Sequence, residues 1–372
     1  MASAKETITG LLSLANITVN GTHPYDIQVH NEHLYERVLK KQQLGLGEAY
    51  MDGWWDAERI DQFIARLLSV DVRKRIRRIN ADIARAVVSS WILNRQTQIR
   101  AKYNASHHYN IGNDLYKLML GKRMIYSCAY WQDARTLDAA QEAKLDLICR
   151  KLYLEPGMTL LDIGCGWGGF AEYAARKYGV IVTGITPAAE QVVLARERTK
   201  DLPVTILQED YREVTGTFNR IVSIGMVEHV GPKNLKTFFA CCRNMLKDRG
   251  IMLHHQIGRN QSITFTDPWI DKYIFPGGVI PTLTQLSKAA EKQLVIEDVH
   301  NFGPYYDKTL MAWYDNFVKN YSKLRDNYDE RFYRMWTYYL QSCAGAFRAR
   351  HLQLNQVVMR KIEPSDVYKA IR

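Results

Sequence analysis

Residues 160–170 read LLDIGCGWGGF, an apolar run that ends in Asp162 and passes at once into Gly164, Gly166, Gly168 and Gly169. A strand that feeds a glycine-rich turn into a helix is built for a cofactor. The glycines let backbone approach the ligand, and the helix start offers N–H groups with no partner in the helix. Gly164, Gly166 and Gly169 satisfy the G-x-G-x-x-G spacing of dinucleotide sites, a weak match taken alone. Two features turn the reading elsewhere. Asp162 stands just before the glycines, where a carboxylate repels a pyrophosphate but suits the ammonium of a methionine moiety, directly or through water. The dinucleotide pattern also wants an acid about 20 residues further on, at the end of the second strand. The sequence offers TGITPAAEQ there, with Thr186 and Gln191 but no carboxylate at the strand end. D-x-G-x-G-x-G after an apolar strand therefore favours S-adenosylmethionine, with a nicotinamide site and a ligand-free tight turn as the alternatives.

Two more strand ends carry polar residues. NRIVSIGM is followed by Val227, Glu228, His229 and Val230, and GIML by His254, His255, Gln256 and Ile257. Ligands of open α/β sheets lie beyond the carboxyl ends of the strands. Glu228 and a histidine are thus candidates, beside the plainer reading of hydrogen-bonded structural residues. No Asn/Asp-Pro-Pro-aromatic run follows NRIVSIGM, which counts against a nucleic-acid amine methylase. In MIYSCAYWQD, Cys128 lies between Tyr126 and the Tyr130–Trp131 pair: a packed thiol, or part of a cofactor mouth. With no activating cation close in sequence, it is a poor candidate for covalent catalysis. Aromatics crowd the C-terminal third, from Trp269 to Tyr339. They suit a core, and they equally suit a channel for a long apolar substrate or a wall that steadies a cation.

The elements that must position these residues follow from the pattern. From residue 158, strand-like runs (MTLLDI, VIVTGI, VTILQED, NRIVSIGM, GIMLHHQIG) alternate with helical stretches, which implies a parallel sheet with helices on both faces. Residues 1–80 predict a small, mostly helical module in which GLGE breaks a helix. Residues 81–105 predict a basic linker helix and residues 106–372 the catalytic domain. The net charge of +11 is uneven, since residues 66–102 hold ten Lys/Arg against Asp71 and Asp82. Val72, Ile76, Ile79, Ile83 and Val87 recur there at helical spacing, flanked by Arg73, Lys74, Arg75, Arg77, Arg78 and Arg85. A basic amphipathic helix suits an anionic membrane surface, and a solvated helix on its own domain is the alternative. No apolar stretch reaches the roughly 20 residues needed to span a bilayer, and the N-terminal residues read as a helix, not a signal peptide. None of the six cysteines forms a C-x-x-C pair, so zinc is not suggested and a reducing cytoplasm is expected.

GLGEAYMDGWW, HYNIGNDLY, YSCAYW, LLDIGCGWGG, GMVEHVG, HHQIG, DPWIDKYIFPGG, HNFGPYYD, LMAWYDNF and CAGAFRARHLQLNQ together give the chain, over nearly its whole length, a sequence that resembles the cyclopropane-fatty-acyl-phospholipid synthase family, which includes the mycolic acid cyclopropane synthases. The resemblance implies a class I S-adenosylmethionine methyltransferase: a Rossmann-like, mostly parallel seven-stranded sheet with a small helical N-terminal domain. The implied reaction adds a methylene across a cis double bond of a phospholipid acyl chain, through a carbocation that loses a proton to bound bicarbonate. An alkene has no proton to remove first, so the site needs a dry aromatic pocket more than a strong base.

Carried over residue by residue, the resemblance implies that Cys128, Glu228, His255, Ile257 (through its backbone) and Tyr306 cradle bicarbonate. It implies that Tyr126, Ser127, Gly164, Gly166 and Gly168 hold the cofactor together with Asp162. Thr186, Pro187 and Gln191 match the ribose strand end, and Asp210, Tyr211 and Arg212 would border the adenine. Val227 departs from the family's usual Phe, and Pro187–Ala188 from its Leu–Ser. His255 is preferred to His254 because H-x-I-G puts it and Ile257 on one face of a strand. The family further implies a homodimer and peripheral association with the inner face of the cytoplasmic membrane, and it implies no nucleic-acid partner. A related enzyme making a methyl- or methylene-branched chain, and a small-molecule N-methyltransferase, are the rival readings.

Overall fold

The structure, a computed structural model, describes residues 3–70, 112–263, 265–362 and 366–372. The basic stripe and the whole of the expected linker helix lie outside the described residues. Contacts group the chain into two compact units that do not follow the expected contiguous boundaries. Among the described residues, the first unit joins residues 3–70 to 265–276 and 306–352, and the second holds residues 112–263, 277–305, 353–362 and 366–372.

In the first unit, helix Ala4–Leu14 opens with a reciprocal Ser3–Glu6 capping box. A two-stranded antiparallel sheet pairs β1 (Gln28–Val29) with β2 (Trp55–Asp56). The core is aromatic: Trp55 lies 5.2 Å from Phe63, and Trp269 4.7 Å from Tyr338, in tilted and edge-on pairs of the kind ring quadrupoles favour. The buried Glu48 carboxylate gathers Arg37, Lys41 and Lys272, and accepts from the Tyr273 hydroxyl. GLGE does not break its helix. The irregular residue in His33–Met51 is Gln42, at φ 48°, while Gly45 and Gly47 stay helical. Their missing side chains serve packing: a Cβ on Gly47 would sit 2.5 Å from the Trp269 ring.

Helix Ile60–Ser69 packs on helix Glu330–Arg348 through a similar close approach, where a Cβ on Gly345 would lie 2.5 Å from the Asp61 carbonyl oxygen. Backbone cannot yield as a flexible side chain would. Gly345→Ala is therefore expected to destabilise the protein by about 1–3 kcal/mol in urea unfolding. Gly10→Ala is the control. Its Cβ meets nothing within 4 Å, and helix propensity should make it neutral to slightly stabilising.

The second unit is a doubly wound sheet. Its strands are β3 (Thr159–Ile163), β4 (Ile181–Ile185), β5 (Val204–Leu207), β6 (Phe218–Ile224), β7 (Leu246–Arg259), β8 (Val295–Asn301) and β9 (Leu352–Arg360). They lie in the order β5-β4-β3-β6-β7-β9-β8. The first five strands pair in parallel, and β8 and β9 are antiparallel. Alternation along the strands sends the two sides of each to different cores. Leu160, Val222, Ile251 and Leu253 pack with helices Leu137–Lys151 and Gly169–Tyr178 on one face. Leu161, Ile163, Ile221 and Met252 pack with helices Leu235–Met245 and Leu283–Ala290 on the other. Asp162 and His255 follow the first set by register, so the sheet delivers both to one face at its carboxyl edge. Among the described residues, no helix is long and apolar enough to cross a membrane.

Candidate active site

β3 ends at Ile163, and the backbone turns through Gly164 (φ 83°), Gly166 (φ 55°) and Gly168 (φ 77°) into helix Gly169–Tyr178. These are left-handed conformations that side-chain-bearing residues resist. The amides of Gly164 and Cys165 both donate to the Ile185 carbonyl, which ties the loop to the end of β4. A Cβ on Gly168 would meet Ala195 at 3.1 Å, whereas one on Gly166 would meet nothing within 4 Å. The space above Gly166 is therefore open. Below it Asp162 is buried, and its Oδ2 has no partner. Burial pushes this carboxyl up to about 7, with Lys144 pulling it back. An open glycine cradle above an unmatched buried acid fits a ligand that brings an ammonium group, as the amino-acid end of S-adenosylmethionine does.

The YSC segment approaches the same loop. Tyr126 meets Tyr116 edge-on at 5.4 Å, and Tyr116 lies 4.9 Å from Trp167 of the glycine loop. Trp167 Nε1 donates to Asn113 Oδ1 at 2.9 Å. Ser127 stands 3.9 Å from where a Cβ on Gly225 would be, beside the end of β6. At the end of β4, Thr186 Oγ1 donates to Gln191 Oε1 at 2.8 Å, with Pro187 in the turn between them. Further along, the three residues expected at the adenine divide. Asp210 is taken up by a two-pronged bond from Arg212, at 2.6 and 2.7 Å, and Tyr211 packs edge-on against Phe238 in the core. The Asp210 carboxylate thus holds its own turn together.

The second cluster lies where β6 and β7 end. Glu228, in a single 3-10 turn (Val227–His229), reaches across to β7, and its Oε1 accepts the Ile257 N–H at 2.7 Å. Its Oε2 is buried without a partner, and burial pushes the carboxyl up to about 7 against the Ile257 hydrogen bond. Of the Ile257 backbone, expected to take part in the cradle, the N–H is committed to Glu228. On the same side of β7, His255 Nδ1 meets the amide nitrogen of Gln356 at 3.3 Å, and its Nε2 is buried with no partner. Burial and nearby Lys144 and Lys151 hold the ring well below the usual histidine range, so it is neutral. An amide donor on Nδ1 leaves the hydrogen on Nε2. Glu228 protonated on Oε2 and His255 protonated on Nε2 thus present two unspent donors at adjacent strand ends, which fits a small oxyanion.

His254 points to the other face, edge-on to Phe239 at 5.8 Å. Cys128 is fully buried, its thiol donating to the Ala129 carbonyl at 3.3 Å. Beside His255 stands an aromatic wall: Phe302 at 5.9 Å, with Tyr130 at 5.2 Å and Tyr305 at 6.0 Å from Phe302. Tyr306 belongs to the first unit, where its ring packs on Phe347 at 4.6 Å and on Trp313 at 5.9 Å.

Two residues at the site escaped the sequence reading. Gln141 donates to the Ser127 carbonyl at 3.0 Å, and Lys144 donates to Ser127 Oγ at 2.8 Å. The signal was present: Leu137, Gln141, Lys144, Ile148 and Lys151 form one helical stripe, and all five are buried. Polar residues interleaved with apolar ones on a buried face are unusual enough to mark a site.

The comparisons give the family and the fold. The mycolic acid cyclopropane synthetase family model matches residues 96–357. The cyclopropane-fatty-acyl-phospholipid synthase of Escherichia coli (strain K12) is 50% identical over 351 residues, covering 94% of this chain and 92% of that one. The cyclopropane synthase MmaA2 from Mycobacterium tuberculosis has a similar structure, with a TM-score of 0.67 at 30% identity over 70% of this chain and 98% of that one. So does the mycolic acid cyclopropane synthase CmaA1, solved in complex with SAH and CTAB, with a TM-score of 0.66 at 33% identity over 70% and 98% of the two chains. The sheet order, the glycine turn after Asp162 and these matches place the protein together: it is a member of the mycolic acid cyclopropane synthetase family.

Proposed function

We propose that this chain is an S-adenosyl-L-methionine-dependent C-methyltransferase that converts a cis double bond of a phospholipid acyl chain into a cyclopropane ring, with bicarbonate as the base. The observation that carries the reading is the pairing of an open glycine cradle over Asp162 with two unspent buried donors, Glu228 and His255, on one edge of one sheet.

S-adenosylmethionine, when bound, supplies a methyl group made electrophilic by its sulfonium. Tyr126, Ser127, Asp162, Gly164, Gly166, Gly168, Thr186, Pro187 and Gln191 would hold it. Bicarbonate, when bound, supplies a base of modest strength. Cys128, Glu228 and His255 would hold it, with Ile257 fixing the Glu228 carboxyl from behind. The protein's own part is to protect a cation. Phe302, Tyr130 and Tyr305 present faces and edges with no strong nucleophile, and they exclude water that would trap a carbocation on the acyl chain. Two neutral donors orient a small anion without adding a charge that would collapse onto that cation. The enzyme acts at the surface of a phospholipid bilayer, where its acyl substrate resides.

The test supplies the cofactor and liposomes of cis-monounsaturated anionic phospholipid. The expected product is an acyl chain heavier by one CH₂ with no olefin, formed more slowly in carbonate-free buffer and restored by added bicarbonate. Label in the chain with the olefin retained points to a methyl- or methylene-branched product. Turnover of soluble amines alone overturns the reading.

A further inference from the structure

Lys144 is fully buried, and its ammonium donates to Ser127 Oγ at 2.8 Å. An ammonium is a donor only, with three N–H groups and no acceptor. In its ammonium form Lys144 thus leaves Ser127 Oγ to accept, with the serine's own hydrogen turned away from it. Gln141 removes the remaining freedom by holding the Ser127 carbonyl at 3.0 Å and the Ile125 carbonyl at 3.4 Å. The serine is thus fixed by one helix face, with its Cβ 3.9 Å from where a Cβ on Gly225 would stand, at the end of β6.

The charge points the same way. A buried lysine with one neutral partner has no counter-ion within salt-bridge distance. Burial lowers it to about 7, while the charges of Cys128 and Asp162 pull upward. Asp162 itself has a buried oxygen without a partner. The site therefore holds an acceptor short of a cation and a donor relay short of an anion. An α-amino acid satisfies both at once.

Building on the cofactor reading above, we infer that Lys144, acting through the Ser127 hydroxyl and set by Gln141, is the positioning residue for the carboxylate of the cofactor's amino-acid end. Asp162 answers the ammonium, and the Lys144–Ser127 relay answers the carboxylate. The relay distinguishes a whole amino acid from an amine, which the glycine loop alone does not do.

The test is calorimetric binding of S-adenosylhomocysteine and of its decarboxylated analogue, which keeps the adenosine, the sulfur and the amine. Lys144→Met should weaken S-adenosylhomocysteine binding about ten- to a hundred-fold, the scale of a charge-assisted hydrogen bond, and leave the analogue within about twofold. Ser127→Ala, which removes the hydroxyl without opening a large cavity, should reproduce that selective loss. The double variant should lose no more than either alone, because the two act in series. A loss that is equal for both ligands, or absent, in Lys144→Met or in Ser127→Ala overturns the assignment. A wild-type protein that binds neither ligand overturns the cofactor reading, and this inference with it.

Discussion

Glu228→Ala is expected to lower kcat by about 10²–10³-fold, the scale for losing one preorganised donor to a reacting anion, with S-adenosylhomocysteine affinity nearly unchanged. Glu228→Gln is expected to keep most of the activity. The contrast follows from the two oxygens. Oε1 accepts the Ile257 N–H at 2.7 Å, and Oε2 is buried with no partner. Burial pushes the carboxyl to about 7 from its ordinary 4.5, against the pull of the Ile257 hydrogen bond, so Oε2 keeps its proton up to neutral pH. A glutamine reproduces that state, with its oxygen accepting from Ile257 and its NH₂ donating where Oε2–H did. Alanine removes both and strands the Ile257 N–H. If the ionised form were the working one, Gln would fail as badly as Ala.

The same carboxyl makes a statement about stability. Its proton is bound more tightly in the folded state than in the unfolded one. The stabilisation is complete below about pH 4.5 and is lost as pH rises through about 7. Glu228→Gln does not titrate, so its stability relative to the wild type should rise between about pH 4.5 and about pH 7 and level off above that, read as a growing and then constant difference in urea midpoint.

Gly166→Val is expected to weaken S-adenosylhomocysteine binding by at least about a hundred-fold while costing only about 1–2 kcal/mol of stability. The strain cost comes from φ 55°, a left-handed backbone that a β-branched residue resists. The binding cost comes from the open space: a Cβ there meets nothing within 4 Å beyond its chain neighbours, so a side chain would project into the space the proposed cofactor needs. Gly157→Val is the matched control. Gly157 also has a positive φ, 80°, and also has nothing within 4 Å of its Cβ, but it precedes β3 at the opposite end of the strand. It should lose similar stability and no affinity. Equal affinity losses in the two variants would mean that the Gly166 effect is strain and not occlusion.

The sheet and its strand-end polar residues were legible because each rests on a local signal. The strand runs alternate with helical ones, the glycine turn follows its strand at once, and H-x-I-G fixes by alternation which histidine shares a face with Ile257. What was not legible depends on contacts between distant segments. No pattern in the first 80 residues shows that Asp61 needs Gly345 beneath it, so the expected domain boundary followed the chain while the actual unit is assembled from three segments. GLGE looked like a helix break because glycine lowers helix propensity, yet a tryptophan ring pressed on Gly47 outweighs that cost. Ile257 was expected to join the cradle through its backbone, and the sequence does not show that Glu228, 29 positions earlier, takes its N–H. Asp210 and Arg212 were read as bordering the adenine, and the sequence does not show that their side chains also bind each other. Lys144 and Gln141 were missed because a polar residue on a helix looks solvated until the buried face is known.

The most direct measurement of the central claim is the deuterium content of the product when the enzyme receives S-adenosylmethionine with a fully deuterated methyl group and cis-monounsaturated phospholipid liposomes. The account predicts an acyl chain that has gained one carbon, lost its olefinic signal and kept two of the three deuterons, the third having left with the base. A chain that retains all three deuterons, or one that gains the carbon and still shows an olefin, contradicts it.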